Sequence, residues 1–135
     1  QNGTGLASNY TLGSGTFDVT QRWINVTGNK SYDGSTSVTA GSLSLGNLVS
    51  GESLTISGSG SVSSSSVGSD KAITLGTLAL GNTGSGTASN YTFGNSSFEI
   101  TRRVLNASGS RAYNGSTNVT SSDLTLNNLA GSETI

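Results

Sequence analysis

The sequence predicts an all-β fold made of tandem small antiparallel β-sandwich-like (Ig-like) modules, each about 81 residues long. Similar stretches return at a fixed spacing, apolar and polar residues alternate in short runs, and no apolar pattern has the spacing of a helix face. Short alternating runs separated by glycine-rich turns at intervals of roughly 8–12 residues are typical of antiparallel β domains.

The repeat is clearest around a tyrosine. The stretch at 30–38 (KSYDGSTSV) returns at 111–119 (RAYNGSTNV), and the stretch at 43–48 returns at 124–129, without a gap in the 81-residue spacing. Most solenoid coils have units of about 20–50 residues, so this longer period predicts small domains in series, each with its own core.

A change in the phase of the alternation marks a boundary. Phe17 and Val19 predict one face of a half-buried strand, but beyond Gln21 the inward face passes to Ile24 and Val26. A bulge or a bend would produce such a change, as would a junction between modules, which is our interpretation. Residues 1–21 are then the C-terminal part of a preceding repeat, 22–102 one complete repeat, and 103–135 the N-terminal part of a following one.

About seven or eight short strands are expected in the complete repeat. Their apolar residues are expected to come from Ile24/Val26, Val38, Leu43/Leu45, Leu54/Ile56 with Val62 beyond, Ile73/Leu75, Leu78/Leu80, and the closing stretch Tyr91/Phe93 and Phe98/Ile100. Residues 63–66 and 68–70 are expected to be surface loop. Tyr32 predicts a buried aromatic residue beside a tight turn, in which Gly34 can take a positive φ.

The composition excludes several functions. Charged residues make up 10% and the net charge is −1, so no basic surface is expected for nucleic acid, and no apolar run has the ~20 residues that span a membrane. Histidine and cysteine are absent, which removes the usual catalytic base and the commonest metal ligands. We expect no enzyme, no cofactor and no metal site. The acids at equivalent positions (Asp18/Glu99 and Glu52/Glu133) are expected to be surface charges.

The aromatic residues recur at equivalent positions, which favours core packing over a glycan-binding strip. The pairs are Tyr10/Tyr91, Phe17/Phe98 and Tyr32/Tyr113. Trp23 has Val104 as its equivalent and is expected to be a junction contact.

Asparagine sequons form a separate signal. Nine are present, and Asn9/Asn90 and Asn25/Asn106 stand at equivalent positions, so these four are candidate glycosylation sites. The alternative is that asparagine serves turns and that serine and threonine are abundant everywhere.

Four short motifs occur in a fixed order. They lie at 30–36, 51–55, 68–73 and 90–92, and together they resemble the YDG repeat of bacterial filamentous-haemagglutinin-like surface adhesins of the two-partner secretion type. The resemblance covers the whole sequence. The structural motif that carries it comprises Tyr32, Asp33 and Gly34 in one copy and Tyr113, Asn114 and Gly115 in the other. Asparagine at the second position indicates that Asp33 is a turn residue and not a catalytic acid.

The resemblance implies a non-catalytic stalk or spacer repeat of a large bacterial cell-surface adhesin that supports cell adhesion or biofilm formation. It also implies an extracellular location, on the cell surface or secreted, and sugars of the glucose type on some sequons. The alternative is a module that itself binds host glycans or biofilm polysaccharide. Expected partners are neighbouring repeats and such glycans, with edge-strand self-association of the terminal segments, and neither nucleic acid nor a membrane.

Overall fold

The computed structural model describes residues 3–135, and within them every regular element is a strand or a single turn of 3-10 helix. The strands are β1 (Arg22–Ser31), β2 (Ser37–Thr39), β3 (Leu43–Gly46), β4 (Thr55–Ser57), β5 (Ser59–Ser61), β6 (Gly68–Lys71), β7 (Ala79–Gly81), β8 (Tyr91–Thr101), β9 (Asn106–Ser108) and β10 (Thr125–Asn127). The all-β prediction is confirmed.

The central sheet has the order β3-β1-β8-β6, and its two inner strands are parallel. The purely antiparallel arrangement predicted from the sequence is therefore wrong at this point. Parallel neighbours need a long crossover, and residues 32–90 supply one between β1 and β8. The outer strands β3 and β6 are antiparallel to their neighbours, and β2–β5 and β4–β7 form two small antiparallel pairs.

A bulge in β8 changes which of its side chains face inward. Ile24 pairs with Phe93, whereas Val26 pairs with Ser96, so β8 contains one more residue than β1 over this interval. Tyr91 is buried before the bulge and Phe98 after it, although their positions differ by an odd number of residues. Tyr91 and Phe98 thus face the same side of the sheet, although in a regular strand they would face opposite sides.

The core is small and comes from many elements. Val26, Val38, Val62, Ile73, Leu78, Phe98 and Ile100 form one buried cluster, against which partly buried side chains including Tyr32 and Leu43 pack. Phe98 and Val38 have no exposed surface.

Residues 10–21 form no strand, although Phe17 and Val19 were predicted to lie on one. Phe17 is 91% exposed, whereas its equivalent Phe98 is fully buried. The reason is pairing: Phe98 lies beside Gly28 of β1, whereas within residues 3–135 no strand lies beside Phe17. Tyr10 and Tyr113, predicted to be core residues, are likewise exposed.

A second correction concerns β6. Residues 68–70 were predicted to be loop, but Gly68 pairs with Ile100 and Lys71 with Phe98 as an irregular edge strand. Apolar alternation could not reveal it, because the backbone pairing does not require apolar side chains.

Pairing of β9 with β10 reproduces that of β1 with β3. Asn106 lies opposite Asn127 as Asn25 lies opposite Gly46, and each position is 81 residues further along the chain. The last part of the chain therefore repeats this one strand pairing in the same register.

Candidate functional site

The Tyr-Asp-Gly turn is built around a lysine. The Lys30 ammonium forms an ion pair with Asp33, 2.9 Å from Oδ1, and donates to the carbonyl oxygens of Ser35 and Ser37 at 2.8 Å each. Asp33 Oδ1 accepts the Ser35 N–H at 2.9 Å, and Gly34 has a φ of 78°. The hydrogen bond from Lys30 and that from the Ser35 backbone lower the pKa of Asp33, because both favour its charged form.

The second copy keeps this turn without the carboxylate. Asn114 Oδ1 accepts the Ser116 N–H at 3.1 Å, Arg111 donates to the Ser116 carbonyl at 2.7 Å, and Gly115 again has a φ of 78°. The shared feature is a side-chain oxygen acceptor, which an amide supplies as well as a carboxylate does. This supports the turn role for Asp33.

The motif tyrosine reaches across to the following segment. The Tyr32 hydroxyl donates to Glu133 Oε1 at 2.5 Å, and its backbone N–H donates to the Thr101 carbonyl at 2.9 Å. The hydrogen bond to the Glu133 carboxylate raises the pKa of Tyr32, because it favours the protonated hydroxyl. Tyr32 is half-buried rather than fully buried as predicted, since its hydroxyl end lies at this contact.

Arg103 donates hydrogen bonds both to Asn128 and to Tyr32, which lie on either side of it in the sequence. Its guanidinium donates to the Asn128 carbonyl at 2.5 Å and to Asn128 Oδ1 at 2.7 Å, and also to the Tyr32 carbonyl at 3.4 Å. Arg22 makes the equivalent pair of bonds to Asn47, at 2.7 and 2.8 Å. We call Tyr32, Arg103, Asn128 and Glu133 the junction cluster. A pocket of about 220 Å³ lies beside it, with Val67, Leu105 and Leu129 in its wall.

A related tyrosine–glutamate bond lies within residues 22–102. The Tyr91 hydroxyl donates to Glu52 and accepts the Val49 N–H at 3.2 Å, and the bond to Glu52 raises the pKa of Tyr91. Glu133 is exposed, as expected of a surface charge, and Glu52 is half-buried; each also accepts a tyrosine hydrogen bond that the sequence did not predict. These partners are 39 and 101 residues apart in sequence, so no local pattern indicates them.

The remaining candidates lie apart from the junction cluster. Asn9, Asn25, Asn90 and Asn106 are all exposed, and their glycosylation stays a prediction. The sequon at Asn2 lies outside the described residues. Asp18 and Glu99 are exposed, and in residues 3–135 no three acidic, histidine or cysteine side chains gather as a metal site would require. Each 3-10 helix of the described chain spans three residues, too few to cross a membrane.

A comparison with known families gives one match. The family model described as "YDG domain" matches residues 19–98, which is more than half of the chain. The chain belongs to the YDG domain family. The matched range contains the Lys30-centred turn and the Glu52–Tyr91 bond of this YDG domain, and it ends within β8. No curated protein and no solved structure matches the chain.

Proposed function

We propose that this YDG domain is a non-catalytic spacer in the stalk of a bacterial cell-surface adhesin of the filamentous-haemagglutinin-like class. In this proposal residues 22–102 are one repeat of a tandem array of sandwich-like modules, residues 1–21 and 103–135 belong to its neighbours, and the location is extracellular.

The parallel pairing of β1 and β8 carries the proposal. Arg22 lies beside Tyr91 and Ser31 beside Thr101, so the chain begins the unit at one end of the strand pair and leaves it at the other. A ten-residue strand at about 3.3 Å per residue separates those ends by roughly 33 Å. A unit with its two termini at opposite ends adds length whenever it is repeated.

The junction cluster supports the same function. Tyr32 of one unit bonds to Glu133, and Arg103 bonds to both sides, so successive units are joined by side-chain contacts as well as by the backbone. A side-chain link restricts rotation about the connecting residues, which favours a stiff stalk over beads on a flexible thread.

Small-angle X-ray scattering on proteins with one, two and three copies of residues 22–102 tests the proposal. We expect the maximum dimension to rise by a constant increment on the order of 30–40 Å per copy. The matched control carries a short flexible glycine-serine insertion after residue 102, which should broaden the distance distribution with little change in mass. Compact particles without a constant increment would contradict the spacer function.

One observation favours the alternative that the module binds glycans. Trp23 is 68% exposed although it lies on β1, and Asn47 fixes its backbone by donating to its carbonyl at 2.7 Å. An exposed indole on a rigid strand is a suitable stacking platform for a sugar ring. A glycan array that gives a signal with the native chain, lost in Trp23→Ala but kept in Val49→Ala, would support this function. A blank array would contradict it.

A further inference from the structure

We propose that the β1–β8 pair is a mechanical clamp, which keeps the unit folded when the chain is pulled from both ends. This inference rests on the proposed spacer function, because the stalk of an adhesin carries tension along its length. It adds a property that length alone does not require, namely resistance to unfolding under that tension.

Tension along the chain reaches the unit at opposite ends of two neighbouring strands. Gln21 directly precedes β1, and Arg102 directly follows β8. Because the two strands are parallel, Arg22 and Thr101 lie at opposite ends of the pair. Pulling on the chain therefore slides β1 and β8 past each other instead of peeling one strand from the other.

The bonds between the two strands share a sliding load. Nine residues of β1 pair with residues of β8, three before the bulge and six after it, from Val26 to Ser31. The backbone bonds of a parallel pair are evenly spaced along the strands. A sliding load stretches all the bonds of such a stretch together, whereas a peeling load stretches them one after another from one end. The unit therefore presents its stronger direction to the tension.

Both strands are also held on their other sides. β1 pairs with β3 at four positions, and β8 pairs with β6 at two. Neither strand can move along its axis without breaking this second set of contacts. At the end where β8 takes the load, the Tyr32 N–H donates to the Thr101 carbonyl at 2.9 Å, and Thr101 Oγ1 donates to the Lys30 carbonyl at 3.3 Å.

The core covers the inner face of the clamp. Val26 and Ile100 are 1% exposed and Phe98 is fully buried, so water does not reach the paired backbone from this side. Hydrogen bonds shielded from water are stronger than exposed ones. The Phe98 ring also lies against Gly28, where an added Cβ would be 3.0 Å from it, so sliding must move this ring out of its place in the core.

Single-molecule force spectroscopy of the 135-residue chain, loaded in two directions, tests the clamp. The native chain has no cysteine, so two introduced cysteines define where the linkers attach. Thr20→Cys with Arg102→Cys applies a sliding load. Thr20→Cys with Ser89→Cys applies a peeling load, because Ser89 lies two residues before Tyr91, which pairs with Arg22. At the same pulling speed we expect a several-fold higher unfolding force in the sliding direction.

Two measurements make that comparison specific. The urea midpoints of the two double-cysteine proteins should agree, because the altered side chains are exposed, so a difference in force reflects only the direction of the load. Rupture in the sliding direction should lengthen the molecule by about 260 Å, the extended length of residues 20–102 less their folded separation.

Equal forces in the two directions, or a higher force for peeling, would overturn the clamp. That failure is distinct from failure of the spacer function, which is decided by scattering from the repeated unit. A constant increment in length with equal forces would leave a spacer without a clamp, and a high sliding force with compact arrays would leave a clamp outside a stalk.

Discussion

At the residue scale, Lys30 stabilises the Tyr-Asp-Gly turn through more contacts than Asp33, the charged residue of the motif, makes. Its ammonium contacts Asp33 and two backbone carbonyls, and in the second copy Arg111 and Asn114 preserve the turn with a different pair of groups. What the two turns share is a cation that contacts carbonyls and a side-chain oxygen that accepts a backbone N–H.

Asp33→Asn should therefore leave the free energy of unfolding nearly unchanged, whereas Asp33→Ala should lower it. The amide keeps the acceptor for the Ser35 N–H, so we expect a change in unfolding free energy within about 0.5 kcal/mol, the scale of an exposed ion pair. Alanine removes the acceptor and should cost about 1 kcal/mol. Urea denaturation at pH 7 measures both. Equal losses in the two variants would contradict the turn role.

The same pair of proteins has a pH signature. Because the pKa of Asp33 is lowered in the folded state, its ionic contribution is present above the unfolded value of about 3.9 and is lost as the pH falls through the lowered value. The native chain should lose more stability than Asp33→Asn below about pH 4. Parallel denaturation curves for the two proteins through that range would show that Asp33 is not paired in solution.

The turn was predictable from the sequence because its contacts are local, within seven residues of Lys30. The tyrosine–glutamate bonds were not, because they join Tyr91 to Glu52 and Tyr32 to Glu133 across whole elements. Recurrence of both residue types at 81-residue spacing shows that the positions are repeated, but it carries no information on which tyrosine meets which glutamate.

At the scale of elements, β8 and residues 10–20 have similar sequences and different structures. Both are preceded by a 3-10 turn, Ala88–Asn90 in one copy and Ala7–Asn9 in the other, because that turn is closed by bonds between near neighbours. The strand itself forms only in the copy that has β1 beside it. Alternation correctly predicted which side chains can be buried, whereas the burial itself depends on a neighbouring strand far away in sequence.

Gly28 of β1 pairs with Leu43 of β3 on one side and with Phe98 of β8 on the other, and it provides the element-scale prediction. A Cβ there would lie 2.2 Å from the Ser42 carbonyl oxygen and 2.9 Å from the Leu43 side chain. Gly28→Ala should therefore lower the unfolding free energy by about 2–3 kcal/mol, because backbone and core must both shift.

Gly46→Ala is the matched control for that prediction. Gly46 pairs with Asn25 in the same two strands, but the nearest atom to a new Cβ is 3.8 Å away. We expect a change within about 0.5 kcal/mol, since the extra methyl group meets no clash. Thermal and urea unfolding of both variants would decide the point, and equal destabilisation would show that space is not the limiting factor at Gly28.

At the scale of the whole molecule, the junction cluster connects residues 22–101 with residues 103–135 through side-chain hydrogen bonds. Arg22 and Arg103 make the same two bonds within their own units, to Asn47 and Asn128. Arg103 also donates to the Tyr32 carbonyl, and Glu133 accepts a hydrogen bond from the Tyr32 hydroxyl. Arg103 thus bonds to Tyr32 while it keeps its bonds to Asn128, and because these partners are far apart in sequence, composition and alternation could not indicate the contact.

Tyr32→Phe should loosen that junction without unfolding the unit. The ring still packs against the core, but the bond to Glu133 is lost, so residues 103–135 should gain motion independent of residues 22–101. Backbone ¹⁵N relaxation measures this as a lower correlation time for the later segment. Tyr113→Phe, which alters the exposed equivalent, is the control and should behave as the native chain does.

The native chain should show the same loosening at high pH. The pKa of Tyr32 is raised by its bond to Glu133, so the contact is fully present below the ordinary tyrosine pKa of about 10 and is lost as the pH rises through the raised value. Relaxation recorded across that range should change for the native chain and stay flat for Tyr32→Phe, whose junction is already loose. If the relaxation of both proteins changes alike, the alkaline loosening comes from another group, such as Tyr91. The Tyr32–Glu133 bond then does not connect residues 103–135 to the rest of the chain.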